Sequence, residues 1–359
     1  MIGERLKLAR AAAGLSLRGL ESQIGNRVSA QAIGKYERNE DVPSSGVLIA
    51  LSDALGVSLD YLLGDRELVL EGVDFRKKQI SSKKEEAQIA ARALHVIERY
   101  LTVEEILGLP SAEWDQPREA PYPVHDLGDA ERAARSLREY WDLGIDPIPN
   151  LLDLLEERGI KVVVVDSAEN IDGLAASVRR ERRNPVRIIV IRRGLHGERQ
   201  RFSLAHELGH VVMEVRGDEK AREKASHRFA GAFLMPAEVL WSKVGKHRSS
   251  IGWGELFALK DLFGASVQAI AYRCTDLGIF SAALSQRLFR EFSRLGFRRP
   301  PNYEPNHLKE EEPRRFERLC FRAIAENAIS EAKAAELLGI NVHELNMRME
   351  EPVGSGVAE

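Results

Sequence analysis

Three short runs rich in β-branched residues lie close together in the middle of the chain and limit the folds open to it. IKVVVVD (160–166), GLAASV (173–178) and VRIIVIRR (186–193) have the length and composition of β-strands. The third run leads into a segment with helical spacing, FSLAHELGHVV (202–212). We therefore expect residues 124–236 to form an α+β domain with a small β-sheet.

The remainder of the chain has the patterns of helices. Residues 1–64 contain five short helical segments separated by capping serines and by glycines. We expect residues 65–123 to be a helical linker and a possible dimer seam, with one long helix at about 84–107 followed by a proline-rich stretch. Helical patterns continue over 237–300, and a last helical unit with a flexible tail occupies 301–359. The predicted fold class is multi-domain and mainly α with an α+β middle.

Composition indicates the cellular compartment. The longest apolar runs, such as 162–165 and 188–191, are far shorter than the roughly 20 residues of a membrane span. The opening MIGERLKLAR lacks the apolar region of a secretory signal, and the chain has 2 cysteines. These observations predict a cytoplasmic protein without a membrane partner. The net charge of −3 means that any nucleic-acid binding must depend on a local surface.

The predicted long helix carries an apolar seam with alternating steps of three and four residues. The seam consists of Ala87, Ala90, Leu94, Ile97 and Leu101. Such a seam can pair two chains as a coiled coil, or it can pack against its own domain. Its length of little more than two heptads leaves both alternatives open, with a homodimer as one of them.

The motif HELGH places two histidines four residues apart around a glutamate. On a helix, His206 and His210 lie on one face about 6 Å apart along the axis, so both imidazoles can address one ion. Glu207 lies about 100° further round the helix, where it can act on a water without binding the ion. This is the H-E-x-x-H arrangement of zinc peptidases, and it predicts a Zn²⁺ site with Glu207 as catalytic base. The alternative is an amphipathic helix with incidental histidines.

A catalytic zinc site requires a third protein ligand. We expect the histidine helix to run to about Arg216, to turn at Gly217, and to be followed by a second helix. An antiparallel hairpin with that pivot places residues 223–224 opposite His210. Glu223 is then the best-placed carboxylate. His227, one turn later, is an alternative ligand or a hydrogen-bond donor to a ligand.

These segments carry a family resemblance. RQRFSLAHELGHVV followed by EKASHRFAGAFLMP resembles the ImmA/IrrE zinc metallopeptidases, whose pattern is H-E-L-G-H and then a Glu shortly before F-A-x-x-L-M-P. The resemblance implies a zincin-like domain with zinc ligands His206, His210 and Glu223 and the base Glu207. His227 stands where the family usually has Asn. Similarity continues through FGASVQAIAYRCTDLGIFS and FRAIAENAISEAKAAELLGI, which resemble longer members with an N-terminal DNA-binding domain.

Two features next to the motif suggest ways of holding a partner. If VRIIVIRR forms a sheet edge beside the metal, it could bind a substrate strand by backbone pairing. The arginines just before it are typical of a solvated hairpin, and a contact with an acidic partner is the less common alternative. These arginines are Arg179, Arg180, Arg182 and Arg183.

The N-terminal segments SLRGLESQIG (16–25) and SAQAIGKYE (29–37) have the caps and apolar spacing of a helix-turn-helix. With RLKLARAAAGLS and LSDALGVSLDYLLG they resemble the XRE-type repressor family. The match implies that Ser29, Ala30, Gln31 and Lys35 face the major groove, where Gln31 can bind adenine, while Lys35 and Arg38 suit guanine or phosphate. Residues 1–60 contain seven basic and seven acidic side chains, which predicts weak non-specific binding. A five-helix bundle used for protein contacts is the alternative.

The two patterns together predict a transcription regulator that binds a double-stranded DNA operator and carries a zinc metalloendopeptidase domain. Its protein substrate would be a partner repressor, a toxin or the chain itself. The alternative is a repressor or antitoxin whose metal domain does not cleave and only senses a ligand or binds a partner.

Overall fold

A computed structural model describes residues 2–64, 68–72, 83–110, 113–166, 172–180, 183–299 and 302–350 of the 359-residue chain. The chain is mainly helical with small sheets, which confirms the predicted fold class. The predicted flexible tail beyond residue 350 lies outside the described residues. Across the described ranges no helix has the length and apolarity needed to cross a bilayer.

The five predicted N-terminal helices are present. They are α1 (Ile2–Ala12), α2 (Leu17–Gln23), α3 (Ala30–Glu37), α4 (Ser45–Leu55) and α5 (Leu59–Leu63). The hydroxyls of Ser16, Ser29 and Ser58 accept hydrogen bonds from the first turns of α2, α3 and α5. Leucine and isoleucine side chains form the core of these helices. Six of them are buried and three are partly buried: Leu6, Leu20, Ile24, Ile33, Leu51 and Leu62, then Leu17, Leu48 and Leu55.

The middle of the chain forms an α+β body around a four-stranded sheet. In chain order its elements are β1 (Leu68–Glu71), α6 (Lys83–Ile106), β2 (Tyr122–Val124), α7 (Leu127–Tyr140), α8 (Leu151–Glu157), β3 (Lys161–Val165), β4 (Gly173–Arg180), β5 (Arg183–Arg192), α9 (Gly197–Val212), β6 (Met213–Val215) and α10 (Glu219–Leu234). The sheet order is β1-β4-β5-β3, with β3 parallel to β5 and the other pairs antiparallel. The three strands predicted from branched content are β3, β4 and β5.

VRIIVIRR does not form a sheet edge, so the condition for binding a substrate strand there is not met. It lies in β5, which pairs with β4 on one side and with β3 on the other. From Val186 to Ile191 nearly every side chain of β5 is buried, whichever face it occupies. A strand buried on both faces belongs in the interior of a sheet, so β5 has no free edge for a substrate.

Helix α6 uses its apolar seam within its own chain. Leu94, Ile97 and Leu101 are buried in one cluster with the sheet residues Val178 and Ile188. Ala90 is half-buried and Ala87 is exposed, so three of the five seam residues are covered by the chain's own sheet. For these three, packing against their own domain is the alternative that the structure supports. The homodimer stays a prediction.

The same helix joins the parts of the molecule. On the N-terminal side Arg5 of α1 forms a 2.7 Å ion pair with Glu98. On the C-terminal side Tyr100 and Val103 are buried with residues of the last helices. Strand β1 also belongs to the main sheet, so much of the segment predicted as a linker over 65–123 is part of the folded body.

The C-terminal third is helical, as expected. It contains α11 (Ala237–Val244), α12 (Trp253–Phe263), α13 (Val267–Asp276), α14 (Ala282–Arg294), β7 (Arg298–Arg299), β8 (Asn302–Tyr303), α15 (Arg315–Ala325), α16 (Glu331–Leu338) and α17 (Val342–Glu350). One hydrophobic core extends from α7 through α14, so no break in packing marks residue 236. Helices α15–α17 form a separate small core against α6.

Candidate functional site

The candidate metal centre lies where α9 and α10 pack side by side. Helix α9 ends at Val212, and the chain then forms β6, which pairs in parallel with β2. The expectation that this helix reaches Arg216 is therefore wrong, because Met213, Glu214 and Val215 form a strand instead. The turn occurs at Gly217 as predicted, with φ of 136°. Gly209 lets the helices approach closely, since a Cβ there would lie 3.1 Å from the Phe229 ring.

Three side chains converge at this packing surface. The Nε2 atoms of His206 and His210 are 3.1 Å apart. The Oε2 atom of Glu223 lies 3.3 Å from Nε2 of His206, and its Oε1 atom lies 3.4 Å from Nε2 of His210. In the described part of the chain this is the one group of three or more His, Cys, Asp or Glu side chains that could hold a metal ion.

The spacing of the three donors fits a zinc ion. Two ligands at corners of a tetrahedron with bonds of about 2.0–2.1 Å are separated by about 3.3–3.4 Å. The three observed separations of 3.1, 3.3 and 3.4 Å are close to that value. Two imidazoles and one carboxylate also form a donor set that leaves one tetrahedral corner open.

The ring orientation of one histidine is supported by a residue that the sequence analysis missed. Ser226 of α10 is completely buried, and its Oγ lies 3.3 Å from Nδ1 of His210. A hydrogen bond at Nδ1 sets the tautomer that leaves Nε2 free for a ligand. For His206, Nδ1 is buried and has no hydrogen-bond partner among the described residues.

Glu207 lies beside the triad in the same cleft and is only 3% exposed. The start of β4 makes room for it. A Cβ at Gly173 would lie 3.2 Å from Cγ of Glu207, tighter than ordinary contact. Gly173 is a second residue that the sequence analysis did not single out. The local pattern around it does not show that it lies next to Glu207 in the fold.

His227 is close to the triad but is not part of its donor group. Its ring centroid lies 4.6 Å from that of His206 and 5.7 Å from that of Phe202. In both of these contacts ring packs against ring, and the planes of the His206 and Phe202 rings are inclined to that of His227. His227 therefore packs against a predicted ligand, while its role as a donor stays a prediction.

The triad opens into a cleft of about 980 Å³. Its walls come mainly from α9, α10 and α13, with Glu304 and His307 contributed by the segment before α15. The His307 ring stacks on that of His196 with centroids 3.5 Å apart. Burial, and then the facing His307, lower the pKa of His196.

A buried ionic network fixes this wall. Lys260 lies 2.9 Å from Glu198 and 2.6 Å from Glu304, and all three are at most 3% exposed. Glu304 also accepts a hydrogen bond from the backbone of Val267 at the start of α13. The position of α13, and hence the shape of the cleft, depends on contacts between residues far apart in sequence.

The arginines of the β4–β5 hairpin pair within the chain. Arg179 and Arg183 are exposed, as expected for a solvated hairpin, whereas Arg180 is buried. The described pairs are Arg179 with Glu71, Arg180 with Glu113 and Arg183 with Glu105. Arg182 lies outside the described residues.

The predicted DNA-reading residues occupy α3 and the positions on either side of it, Ser29 before and Arg38 after. Gln31 and Lys35 are exposed, and Ala30 is half-buried. Ser29 is exposed too, but its hydroxyl accepts a hydrogen bond from the amide of Ala32 and so caps the helix. Their contacts with DNA stay a prediction.

Two details of α3 were not anticipated. Arg38 binds Glu40 through two hydrogen bonds of 2.7 Å, which occupy the guanidinium expected to reach guanine or phosphate. Gly34 is buried, and a Cβ there would lie 3.5 Å from the side chain of Leu17. This is an ordinary contact distance, so the packing of α3 on α2 does not by itself require glycine here.

Two family models match separate parts of the chain. Residues 6–62 match the family model described as helix-turn-helix, and residues 155–275 match the peptidase M78 model described as IrrE N-terminal-like domain. The chain thus combines an XRE-type helix-turn-helix domain with an IrrE/ImmA-like domain, as the resemblance indicated.

One curated relative matches a short part of the chain. Over 63 residues the chain is 41% identical to the SPbeta prophage-derived uncharacterized HTH-type transcriptional regulator YonR of Bacillus subtilis (strain 168). The match covers 18% of this chain and 56% of the relative, so it spans just over half of that protein. No solved structure matches the chain significantly.

Proposed function

We propose that the chain is a cytoplasmic transcription regulator whose IrrE-like domain is a zinc-dependent endopeptidase. The observation that carries the enzymatic part is the triangle of His206, His210 and Glu223 donors, with the buried Glu207 carboxylate next to it. The helix-turn-helix domain would bind an operator in double-stranded DNA. A repressor, a toxin or the chain itself would be the protein cleaved.

His206, His210 and Glu223 would hold the ion. When bound, zinc supplies Lewis-acid polarisation of the scissile carbonyl and makes a water more acidic. Glu207 would accept a proton from the attacking water at a carboxylate oxygen and then donate it to the amide nitrogen that leaves. Ser226 would hold the His210 ring in place during these steps. The net reaction is the addition of one water across one peptide bond.

The enzymatic proposal is tested by Glu207→Gln and Glu223→Ala in the full chain. We expect Glu207→Gln to retain zinc and to lose cleavage of a quenched-fluorescence peptide library by about 10²- to 10⁴-fold. Glu223→Ala should lose zinc in elemental analysis after dialysis. A zinc-loaded wild type that cleaves neither the library nor co-expressed neighbouring gene products would contradict the enzymatic proposal.

The regulatory proposal is tested separately by DNA footprinting of the wild type on the region upstream of its own gene. Gln31→Ala and Lys35→Ala should weaken a protected site, because both side chains are exposed on α3. Unchanged protection by both variants would show that α3 does not read the bases.

One observation favours the alternative of a metal domain that senses without cleaving. The N-terminal domain and the main sheet both pack against α6, through Arg5–Glu98 on one side and Ile97 on the other. A ligand that shifts the sheet would move α6 and with it the DNA-binding domain. In that case Glu207→Gln would regulate normally, while zinc loading would change operator affinity.

A further inference from the structure

The cleft that contains the triad is lined by three aromatic side chains: Phe202, Tyr272 and Phe297. Tyr272, on α13, is 52% exposed. Its ring packs against that of Phe289, with the two ring centroids 4.3 Å apart. An exposed aromatic ring held firmly in a cleft is a typical anchor for a partner side chain.

Phe202 connects this aromatic surface to the metal centre. It lies one helical turn before His206 on α9 and contacts the ring of His227, which in turn contacts the ring of His206. A peptide whose carbonyl lies at the triad would therefore have its neighbouring side chains within the aromatic part of the cleft.

The cations of the cleft are largely neutralised by the protein itself. Arg273 binds Glu131 through both terminal nitrogens, and Arg228 lies 3.2 Å from Asp276. Similarly, Arg199 binds Asp172. These arginines have their charge satisfied, so an acidic substrate side chain would have to displace an existing ion pair to use them.

Lys224 is a cation of the cleft that differs from these arginines. It lines the cleft, is exposed, and follows Glu223 directly in sequence. An exposed ammonium group at a rim contributes little to affinity because it is solvated and screened. The aromatic surface therefore has the larger expected effect on which substrate binds.

We propose that the cleft selects polypeptide segments with an aromatic side chain close to the scissile bond, and that Tyr272 is a specificity-determining residue. The inference rests on the proposed peptidase function for the placement of the peptide, and it adds the class of substrate. Contacts between aromatic rings depend on the relative orientation of the rings, so they would strengthen this preference beyond what the burial of apolar area provides.

The test measures binding to the full-length, zinc-loaded Glu207→Gln protein, which is expected to bind without cleaving. The probes are two short N-acetylated, C-amidated peptides of alanine and serine that differ only at the central residue, Phe in one and Asp in the other. Isothermal titration calorimetry compares this protein with the same protein carrying Tyr272→Ala. Tyr140→Ala is the matched control, since Tyr140 is 44% exposed and does not line the cleft.

We expect the Phe peptide to bind about tenfold more tightly than the Asp peptide. Tyr272→Ala should reduce affinity for the Phe peptide by about 3- to 10-fold and leave the Asp peptide almost unaffected, while Tyr140→Ala changes neither. Equal binding of both peptides, tighter binding of the Asp peptide, no binding of either, or an unchanged preference in Tyr272→Ala would overturn the inference.

Failure of the proposed peptidase function gives a different result. If the wild type never cleaves a peptide but the Phe preference and its loss in Tyr272→Ala are observed, the aromatic cleft stands as a binding site and only the hydrolysis is wrong. If the wild type cleaves substrates without regard to aromatic residues, the hydrolysis stands and the substrate class is wrong.

Discussion

Removing the Ser226 hydroxyl should weaken zinc binding without removing a ligand. In Ser226→Ala, Nδ1 of His210 loses its 3.3 Å contact with Oγ. The ring then loses the interaction that sets its tautomer and orientation, while Nε2 remains in place as a donor. Ser226 is completely buried on the packing face of α10, and alanine fits the same space.

The expected magnitude follows from the geometry of this contact. Loss of a partner that orients a metal ligand costs about 10- to 100-fold in metal affinity. A single neutral hydrogen bond contributes about 0.5–1.5 kcal/mol, which corresponds to roughly 2- to 12-fold. A separation of 3.3 Å is long for a hydrogen bond, so the effect should not exceed the bottom of the first range and should lie within the second. We expect a reduction of about 5- to 10-fold.

The assay is competition for zinc between the protein and a chromophoric chelator at fixed pH. Ser285→Ala is the matched control, because Ser285 is also buried and hydrogen-bonded but lies outside the cleft. The expected order of zinc affinity is wild type equal to Ser285→Ala, then Ser226→Ala, then Glu223→Ala. An affinity for Ser226→Ala within twofold of wild type would refute the role given to this hydroxyl.

Three further predictions concern other parts of the molecule. Gly173→Ala should retain zinc but lower the proposed peptidase activity by about tenfold or more, because its Cβ would displace the carboxylate of Glu207, the proposed base. Equal activity by steady-state kinetics would count against this. Burial raises the pKa of Glu156 to about 8, so its favourable contribution is present below about pH 4.5 and is lost as pH rises through 8. Denaturant unfolding should thus show wild type losing about 2–5 kcal/mol relative to Glu156→Gln across that window, and parallel pH profiles would contradict it. In a gel-shift assay, Lys35→Ala should weaken operator binding about 5- to 100-fold. Arg38→Ala should change it less than threefold, because Arg38 is already paired with Glu40. Equal losses would show that Arg38 leaves Glu40 when DNA binds.

Much of the secondary structure could be predicted because it depends on neighbours in sequence. Serine caps, glycine ends and apolar spacing indicated the five N-terminal helices, and β-branched runs indicated β3, β4 and β5. Elements of two to four residues, such as β1 and β6, were missed because so short a pattern carries little information. The end of α9 was placed four residues late for the same reason.

The pairing of distant elements was less predictable. The sequence left open whether the α6 seam faces its own sheet or a second chain. It also left open whether β5 lies at a sheet edge, and in the structure the edge strands are β1 and β3. Both questions depend on how much apolar surface the rest of the fold brings to these elements. A periodicity identifies the face that is buried, but not the surface that covers it.

The local sequence determined the chemistry available to this protein. Residues four apart on a helix face the same way whatever surrounds them, so His206 and His210 were a donor pair from the motif alone, and a short turn made Glu223 their nearest carboxylate. Tertiary structure decided the rest of the site. Ser226 behind His210, Gly173 beside Glu207 and the aromatic wall on α13 come together only through packing, because such contacts join segments whose patterns contain no information about one another.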